Sequence, residues 1–401
     1  MSGIFDTIHS GNLEELKRIV AQNPEYIHLK IISGWNTGMK WSLLDVAIEY
    51  GKLEIAKYLW EMDGRPNDKN YRNNIFTPVH RAARDGHTKT LEWVFAEKVL
   101  PLRVLIIKDY NGFIPLDRAI AEGRLEMAKF LWEKNRGQLN FSIYRNQSDT
   151  PVTRAAEDGH TKTLKWLFTE KVLPRSALNI QHINAYNPLD RAIACGKLET
   201  AKCLWEMGGR PNPKIYCDGN QTPMHCAAHR TTLEWVFTEK VLPLDVLKIK
   251  NRWKRTPLDE AIACGNLEAA KFLFEKGGRP NLDEVYCDKV FYNGKWIPVH
   301  RVAQYGCTNI LEWIFAEGVL PLRVLNIQNE WKMTPLDIAI AHGNLETAAL
   351  LQRLMYFNPV FLAMQRAKRD HHRTLLRRLP NELLDMVVDE VAARFRIKVE
   401  W

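Results

Sequence analysis

The stretch TPVHRAARDGH, residues 77–87, places two histidines, two arginines and an aspartate close together. Such a group of titratable side chains is typical of a catalytic or metal-binding cluster. The same pattern returns as TPVTRAAEDGH at 150–160, TPMHCAAHR at 222–230 and IPVHRVAQYGC at 297–307. Because a chain does not carry one active site in four copies, the stretch is predicted to be part of a structural repeat.

A second, related pattern lies between these copies. It reads IPLDRAIAEG at 114–123, NPLDRAIACG at 187–196, TPLDEAIACG at 256–265 and TPLDIAIAHG at 334–343, with a further copy, SLLDVAIEYG, from Ser42. The opening stretch from Phe5 fits the same template with a shortened first helix. The two patterns together give ten units over residues 1–358, spaced about 36 residues apart.

Each unit has the signals of two short helices. Thr or Ser caps the first helix and Pro takes its first position, where the missing N–H costs nothing. A Gly eight positions after the Pro, such as Gly86, ends that helix in a left-handed turn. A second helix follows with apolar residues at i, i+3 and i+4. No unit can bury its apolar face alone, so neighbouring units must share a core.

The shared pattern T-P-L-(H/D)-x-A with its following Gly closely resembles the ankyrin repeat. The resemblance implies an all-α fold, an ankyrin-repeat solenoid of about ten helix-turn-helix units with finger loops over residues 1–358. It also implies that His80, His225 and His300 form hydrogen bonds within and between repeats. Metal binding by these histidines is the weaker alternative, because Thr153 or an Asp replaces them in other units.

No phosphate-binding loop, nucleophile elbow or zinc-protease motif occurs in the sequence. The seven cysteines include no C-x-x-C pair, which argues against a disulfide framework and a zinc site. The protein is therefore predicted not to be an enzyme, with no catalytic residue, cofactor or metal. Regularly spaced tryptophans on the second helices are interpreted as packing residues rather than a ligand cage.

The loops before each Pro differ between units and carry an aromatic residue in nearly every copy, often beside Arg or Lys. Exposed aromatics next to Arg are typical of protein-binding hot spots, and the resemblance implies that such finger loops line a concave binding face. The alternative is that some of these rings cover the edge of the stack. The predicted contacts with a protein partner are Trp35, Tyr71, Tyr110, Tyr144, Tyr216, Trp253, Tyr286, Trp296 and Trp331.

The formal net charge of +9 raises nucleic acid as an alternative partner. The basic excess is spread along the chain, and only KNRWKR at 250–255 gives local support, so nucleic-acid binding is the less favoured hypothesis. No apolar run is long enough to span a bilayer, and the N-terminal stretch lacks the apolar block of a secretory signal. We therefore expect no membrane association and a cytoplasmic or nuclear protein.

Residues 359–401 depart from the repeat pattern and are predicted to form a separate helical segment. The string LPNELLDMVV, residues 379–388, resembles the opening of an F-box, as in the ankyrin proteins of large DNA viruses. This resemblance implies docking to a Skp-type adaptor of host cullin ubiquitin ligases. The alternative is a polar cap that only shields the last repeat. The adaptor-docking residues would be Leu379, Pro380, Leu383, Leu384 and Val387.

Overall fold

The computed structural model describes residues 2–32, 40–72, 75–137, 150–179, 186–216, 221–226, 229–282 and 296–355. Ten consecutive helix pairs lie in these ranges, so the predicted all-α repeat fold is confirmed. The first helix, Ser2–Ser10, is 9 residues long, so the prediction of a shortened first helix is wrong. The first five pairs are α1 Ser2–Ser10 and α2 Leu13–Gln22, α3 Leu43–Glu49 and α4 Leu53–Glu61, α5 Pro78–Asp85 and α6 Thr88–Ala96, α7 Pro115–Ala121 and α8 Leu125–Lys134, and α9 Pro151–Asp158 and α10 Thr161–Thr169.

The other five pairs follow the same order. They are α11 Pro188–Ala194 and α12 Leu198–Glu206, α13 Pro223–Cys226 and α14 Arg230–Thr238, α15 Pro257–Ala263 and α16 Leu267–Glu275, α17 Pro298–Tyr305 and α18 Thr308–Ala316, and α19 Pro335–Ala341 with α20, described over 345–355. Short 3₁₀ helices connect several pairs, among them Leu102–Ile106, Leu244–Lys248 and Leu322–Asn326. One antiparallel strand pair, β1 Lys30–Ile32 and β2 Lys40–Ser42, precedes α3.

The repeats are grouped in two compact units, called below the first unit and the second unit. The first unit is Met1–Ala192 with Lys197–Asn212, and the second unit is Ile193–Gly196 with Pro213–Trp401. In the first unit, α3, α5, α7 and α9 contact one another in sequence, and α4, α6, α8, α10 and α12 form a second layer. In the second unit, α13, α15, α17 and α19 form one layer and α14, α16 and α18 the other. The predicted boundary at residue 358 lies outside the described residues.

The helix ends follow the sequence signals. Thr77 caps α5 by accepting a hydrogen bond from the His80 backbone N–H, and Pro78 occupies the first helical position. Gly86 ends the helix with φ of 84°, in the left-handed region where a side chain is strained. The equivalent Gly159 ends α9 with φ of 86°. These caps keep the first helices short, so each chain reversal falls at a fixed place in the unit.

In three of the Asp-type units, a buried aspartate fastens the unit to the segment after its second helix. Asp45 accepts hydrogen bonds from the Ser42 N–H at 2.9 Å, the Asn67 N–H at 2.9 Å and the Tyr71 hydroxyl at 2.7 Å. The backbone N–H of Asn212 donates to Asp190 at 3.0 Å, and that of Asn281 donates to Asp259 at 3.1 Å. One carboxylate therefore caps the first helix and also fixes the start of the next loop.

An arginine in the same segment closes the second helix. The Arg210 guanidinium donates to the carbonyl oxygens of Trp205 at 3.3 Å and Gly209 at 2.7 Å, and lies 4.1 Å from the Trp205 ring centroid. Arg65 covers Trp60 and Arg279 covers Phe274 in the same way. The tryptophans of the second helices are half-buried, which confirms that they pack: Trp60, Trp93, Trp132, Trp166, Trp205, Trp235 and Trp313.

The Asp45 contacts generate a prediction for stability. Asp45→Ala leaves three donors without their acceptor, and we expect the free energy of unfolding to fall by about 3 kcal/mol. Thermal unfolding followed by circular dichroism measures this loss. The matched control is Asp6→Ala, which removes an exposed carboxylate of the same compact unit and should change stability by less than about 0.5 kcal/mol. Equal effects of the two substitutions would contradict the role given to Asp45.

Candidate partner-binding surface

The histidines of the opening stretch have structural partners. The Thr77 backbone N–H donates to Nδ1 of His80 at 3.2 Å, so Nδ1 is unprotonated and Nε2 carries the hydrogen. That Nε2 lies 3.1 Å from the Ile107 carbonyl oxygen and 3.0 Å from the Phe113 carbonyl oxygen, both before the next unit. His225 and His300 reach the carbonyl oxygens of Arg255 and Ile327 in the same way. The role implied by the resemblance is confirmed.

The other substitutions at this place also keep a hydrogen bond. Thr153 accepts from the Thr150 N–H through its hydroxyl at 2.8 Å, and the aspartates do so through their carboxylates. Burial lowers the pKa of His80 and of His300 to about 4, which keeps both imidazoles neutral near pH 7. Within the described ranges, no group of three or more His, Cys, Asp and Glu side chains is arranged to hold a metal ion.

Three five-residue turns of one design lead into α7, α15 and α19. We call them the hub turns: residues 109–113, 251–255 and 329–333. In each, the side-chain Oδ1 of the first residue, Asp109, Asn251 or Asn329, accepts hydrogen bonds from the backbone N–H groups of the third and fifth residues at 2.8–3.0 Å. A backbone pair between the first and fifth residues closes the turn at 2.9 Å. The tip is therefore fixed without help from its own side chains.

The hub turns present an aromatic side chain to solvent. Tyr110 is 66% exposed, Trp253 46% and Trp331 63%, which is unusual for rings of this size. The backbone of the fourth residue has positive φ, with values of 78° at Gly112, 62° at Lys254 and 59° at Lys332. This conformation turns the chain back towards the helix and leaves the second and third residues at the tip. Three of the predicted contact residues thus lie exposed at the tips of hydrogen-bonded turns, Tyr110 at the second position and Trp253 and Trp331 at the third.

Polar side chains anchor the first two hub turns to the helix that follows. Asp109 and Arg118 of α7 are both buried, and Asp109 Oδ2 accepts from Arg118 Nε at 2.6 Å. Asn251 donates through Nδ2 to Glu260 of α15 at 2.7 Å and to Gln221 at 2.9 Å. The sequence signal for these anchors is the recurrence of Asp or Asn five residues before the unit begins, which the sequence analysis missed.

In the first unit, Tyr110 belongs to an aromatic and arginine cluster. Its ring centroid lies 6.1 Å from that of Phe76, and the Arg118 guanidinium lies 5.8 Å from the Tyr110 ring and 5.2 Å from the Phe76 ring. Phe76 was not among the predicted contacts, although it occupies the place before the cap that Trp296 occupies later in the chain. The structure thus adds Phe76 to this part of the surface.

In the second unit, two predicted residues meet directly. Trp296 is half-buried, and its ring lies edge-on to Trp331 with centroids 5.5 Å apart and to His300 at 5.9 Å. Arg255 of the preceding hub turn donates through Nη2 to the Trp296 carbonyl oxygen at 2.9 Å. Trp253, Trp296 and Trp331 therefore lie along one connected row of loops.

The remaining predictions have different outcomes. Tyr71 and Tyr216 are half-buried. Because the Tyr71 hydroxyl donates a hydrogen bond to Asp45, the geometry favours a structural role for Tyr71 in the repeat stack over a contact with a partner. Eight predicted residues lie outside the described residues and stay predictions. They are Trp35, Tyr144 and Tyr286 of the loops, and Leu379, Pro380, Leu383, Leu384 and Val387 of the tail.

Comparison with known families agrees with this architecture. A family model described as ankyrin repeats in three copies matches residues 44–141, and one described as ankyrin repeats in many copies matches residues 299–352. The chain contains ankyrin repeats. The two matched stretches include the hub turns at 109–113 and 329–333, so those turns belong to the repeat array itself.

Three known proteins are similar to part of the chain. The human transient receptor potential cation channel subfamily A member 1 is 29% identical over 190 residues, 44% of this chain and 16% of the channel. The Saccharomyces cerevisiae probable 26S proteasome regulatory subunit p28 is 26% identical over 204 residues, 50% of this chain and 85% of the subunit. The mouse NF-kappa-B inhibitor zeta is 24% identical over 244 residues, 51% of this chain and 32% of the inhibitor.

These alignments extend over unequal parts of the relatives. The matched segment covers 16% of the channel and 32% of the inhibitor, so the chain spans less than a third of the length of each. Among the helices that the structure describes, none is both long and apolar enough to cross a membrane.

The buried histidines predict how stability depends on pH. An unfolded histidine binds its proton near pH 6.5, whereas folded His80 and His300 bind theirs only near pH 4. The unfolded state therefore binds more protons between these values, and the stabilisation is complete above pH 6.5 and is lost as the pH falls towards 4. We expect each histidine to lower the free energy of unfolding by about 2 kcal/mol between pH 7 and pH 5.

Urea unfolding at pH 7 and pH 5 measures this dependence. His80→Thr introduces the residue that occurs at the equivalent position of another repeat, Thr153. It should remove the pH dependence that His80 contributes. His28→Thr changes an exposed histidine of the same compact unit and should leave the pH dependence unchanged. The assignment would be refuted by a His80→Thr variant that keeps the full loss of stability at pH 5.

Proposed function

We propose that this protein is a protein-binding scaffold that contacts its partner through the hub turns and the neighbouring loop residues. The observation that carries the proposal is the repeated presentation of an exposed aromatic side chain on a turn held by side-chain and backbone hydrogen bonds. The scaffold chooses its partner through the tip residues, which differ between turns, while the anchoring residues stay alike.

The physical basis is the small entropy cost of using an aromatic side chain on a fixed backbone. A Tyr or Trp side chain has two torsions to restrict, and the hub turns already hold its backbone in place. A partner therefore gains a large contact area with little further ordering. Aromatic residues beside Arg dominate the binding free energy of many interfaces. The tips combine these features, with the Arg252 guanidinium 4.1 Å from the Trp253 ring centroid.

The relatives are in keeping with this proposal. By their names, the yeast protein is a regulatory subunit of the 26S proteasome and the mouse protein an inhibitor of NF-kappa-B. Binding of a protein partner is the property that we carry over to this chain from these names.

The proposal predicts that the tips are needed for partner binding. We expect the variant Tyr110→Ala, Trp253→Ala, Trp331→Ala to lose at least about 2 kcal/mol of binding free energy, a factor of roughly 30, because exposed rings that anchor an interface carry this much. Affinity purification of the full chain followed by quantitative mass spectrometry identifies the partners, and titration of the purified partner measures the loss.

The matched control changes three other exposed apolar residues, Leu102→Ala, Ile106→Ala and Leu244→Ala. These residues lie on the 3₁₀ helices before the hub turns, so their substitution removes a comparable apolar surface away from the tips. Circular dichroism verifies that both variants remain folded. Retention of the same partners with the same affinity by the tip variant would disprove the proposal.

A second candidate function concerns residues 379–388. We propose that this string, which resembles the opening of an F-box, docks to a Skp-type adaptor, so that the repeats deliver their partner to a cullin-type ubiquitin ligase. The supporting observation is the string L-P-x-E-L-L-x-x-V-V itself. The competing proposal is that the segment only caps the last repeat.

The two proposals for the tail predict different binding results. Adaptor docking predicts that the full chain binds a purified Skp-type adaptor, that Leu379→Ala, Leu383→Ala abolishes binding, and that Asn381→Ala, at the variable position of the string, retains it. A cap predicts no adaptor binding by the intact chain and a lower melting temperature for the Leu379→Ala, Leu383→Ala variant. Surface plasmon resonance and circular dichroism provide the two readouts.

A further inference from the structure

The two hub turns of the second unit share one frame but differ in what surrounds it. In both, the asparagine Oδ1 accepts two backbone hydrogen bonds, at 3.0 Å each for Asn251 and at 2.9 and 3.0 Å for Asn329. These bonds fix the orientation of the amide, because exchanging its oxygen and nitrogen would lose both. Nδ2 is therefore the side-chain donor that remains at each turn.

For Asn251 the chain supplies acceptors to this donor, namely Gln221 and Glu260. At the corresponding places around Asn329 stand Trp296, directly before the cap of α17, and Ile338, three residues after Pro335. Neither side chain carries an acceptor. Asn329 is only 4% exposed, and its Nδ2 atom is buried with no hydrogen-bond partner. A buried amide N–H group without a hydrogen-bond acceptor is rare and calls for an explanation.

The residues near this donor form an apolar and aromatic site. The Trp296 and Trp331 rings meet edge-on at 5.5 Å, and Ile338 is buried in α19. Trp331 follows Asn329 by two residues and is 63% exposed, so its ring can turn outwards without leaving a packed core. Rotation of this exposed ring would open the amide to an incoming group.

Basic residues outnumber acidic residues in the two segments that carry Trp253 and Trp331. The segment at 250–255 and the turn at 329–333 together carry five basic residues and one acidic residue, Glu330. Arg255 is paired with the buried Glu260 at 3.6 Å, which leaves four basic residues against Glu330. The matching segment of the first unit, residues 108–113, holds one basic and one acidic residue, and Asp109 is already paired with Arg118. The resulting positive electrostatic potential attracts an acidic ligand and selects against a basic one.

We propose that the second unit binds an extended acidic peptide segment of its partner along Trp253, Trp296 and Trp331. In this inference, which rests on the proposed scaffold function, an apolar side chain of the peptide packs between Trp296 and Trp331. A carboxylate or carbonyl oxygen of the peptide accepts the hydrogen bond of Asn329 Nδ2. The ligand thus supplies the acceptor that Gln221 and Glu260 supply to Asn251 within the chain.

The test begins with a phage-displayed library of random peptides selected against the full chain. We expect the enriched peptides to be acidic with at least one aromatic or aliphatic residue, and to bind more weakly as salt is raised. Their affinities are then measured by fluorescence anisotropy, together with a single-stranded oligonucleotide as a non-peptide polyanion. Enrichment of neutral or basic peptides, no enrichment, or preferential binding of the oligonucleotide would overturn the inference.

The decisive variant is Ile338→Gln, which gives Asn329 an internal acceptor without adding charge. We expect it to bind the selected peptide about tenfold more weakly, because the donor is already occupied. Ile340→Gln is the matched control, since Ile340 is 58% exposed on the same helix, and it should bind as the unaltered chain does. Circular dichroism verifies that both fold. Equal peptide affinity of Ile338→Gln and Ile340→Gln would overturn the role of Asn329.

The outcomes separate this inference from the proposed function. If the tip variant loses its protein partner while the selected peptides are not acidic, the scaffold function stands and the ligand class is wrong. If the tip variant keeps its partner, the scaffold function itself fails, whatever peptides are selected.

Discussion

The structure depends on one side chain in each unit after the first, the third residue after the one that caps the first helix. Whether His, Asp or Thr, it accepts the N–H of the capping residue, and in most units it also reaches the loop that follows. His80 bonds to the carbonyl oxygens of Ile107 and Phe113, and Asp45 holds Asn67 and Tyr71. Because these partners lie beyond the unit's own helices, a unit completes its hydrogen bonds only when the chain continues into the next one.

This constraint separates the parts of the chain that hold the fold from the parts that are free to vary. The cap, the buried acceptor and the anchoring residue of each hub turn form the frame. The second and third turn residues take no part in it beyond their backbone, and they read Tyr-Asn, Arg-Trp and Glu-Trp in the three turns. Recognition can therefore change without loss of the fold, which is the division of labour that a binding scaffold requires.

The sequence predicted the helix pairs and the caps, because these follow from local signals repeated along the chain, and the resemblance to the ankyrin repeat implied the structural role of the histidines. The sequence-based prediction missed the recurrence of Asp or Asn at 109, 251 and 329 as a signal, and the further partners of Asp109 and Asn251 lie in other elements and change from turn to turn. Tyr71 resembled the other loop aromatics, but its hydroxyl meets Asp45, 26 residues earlier in the chain. Exposure of Tyr110 and burial of Tyr71 are set by these tertiary contacts and not by the composition of the loops.

The central claim is that the hub turns hold the tips while the tips alone select the partner. The most direct measurement exchanges the tip charges of the two turns in the second unit by the double substitution Arg252→Glu and Glu330→Arg, which keeps the net charge and every anchoring residue. The account predicts a melting temperature within about 2 °C of the unaltered protein together with a changed affinity for the partner. A marked fall in melting temperature, or an unchanged affinity, would contradict it.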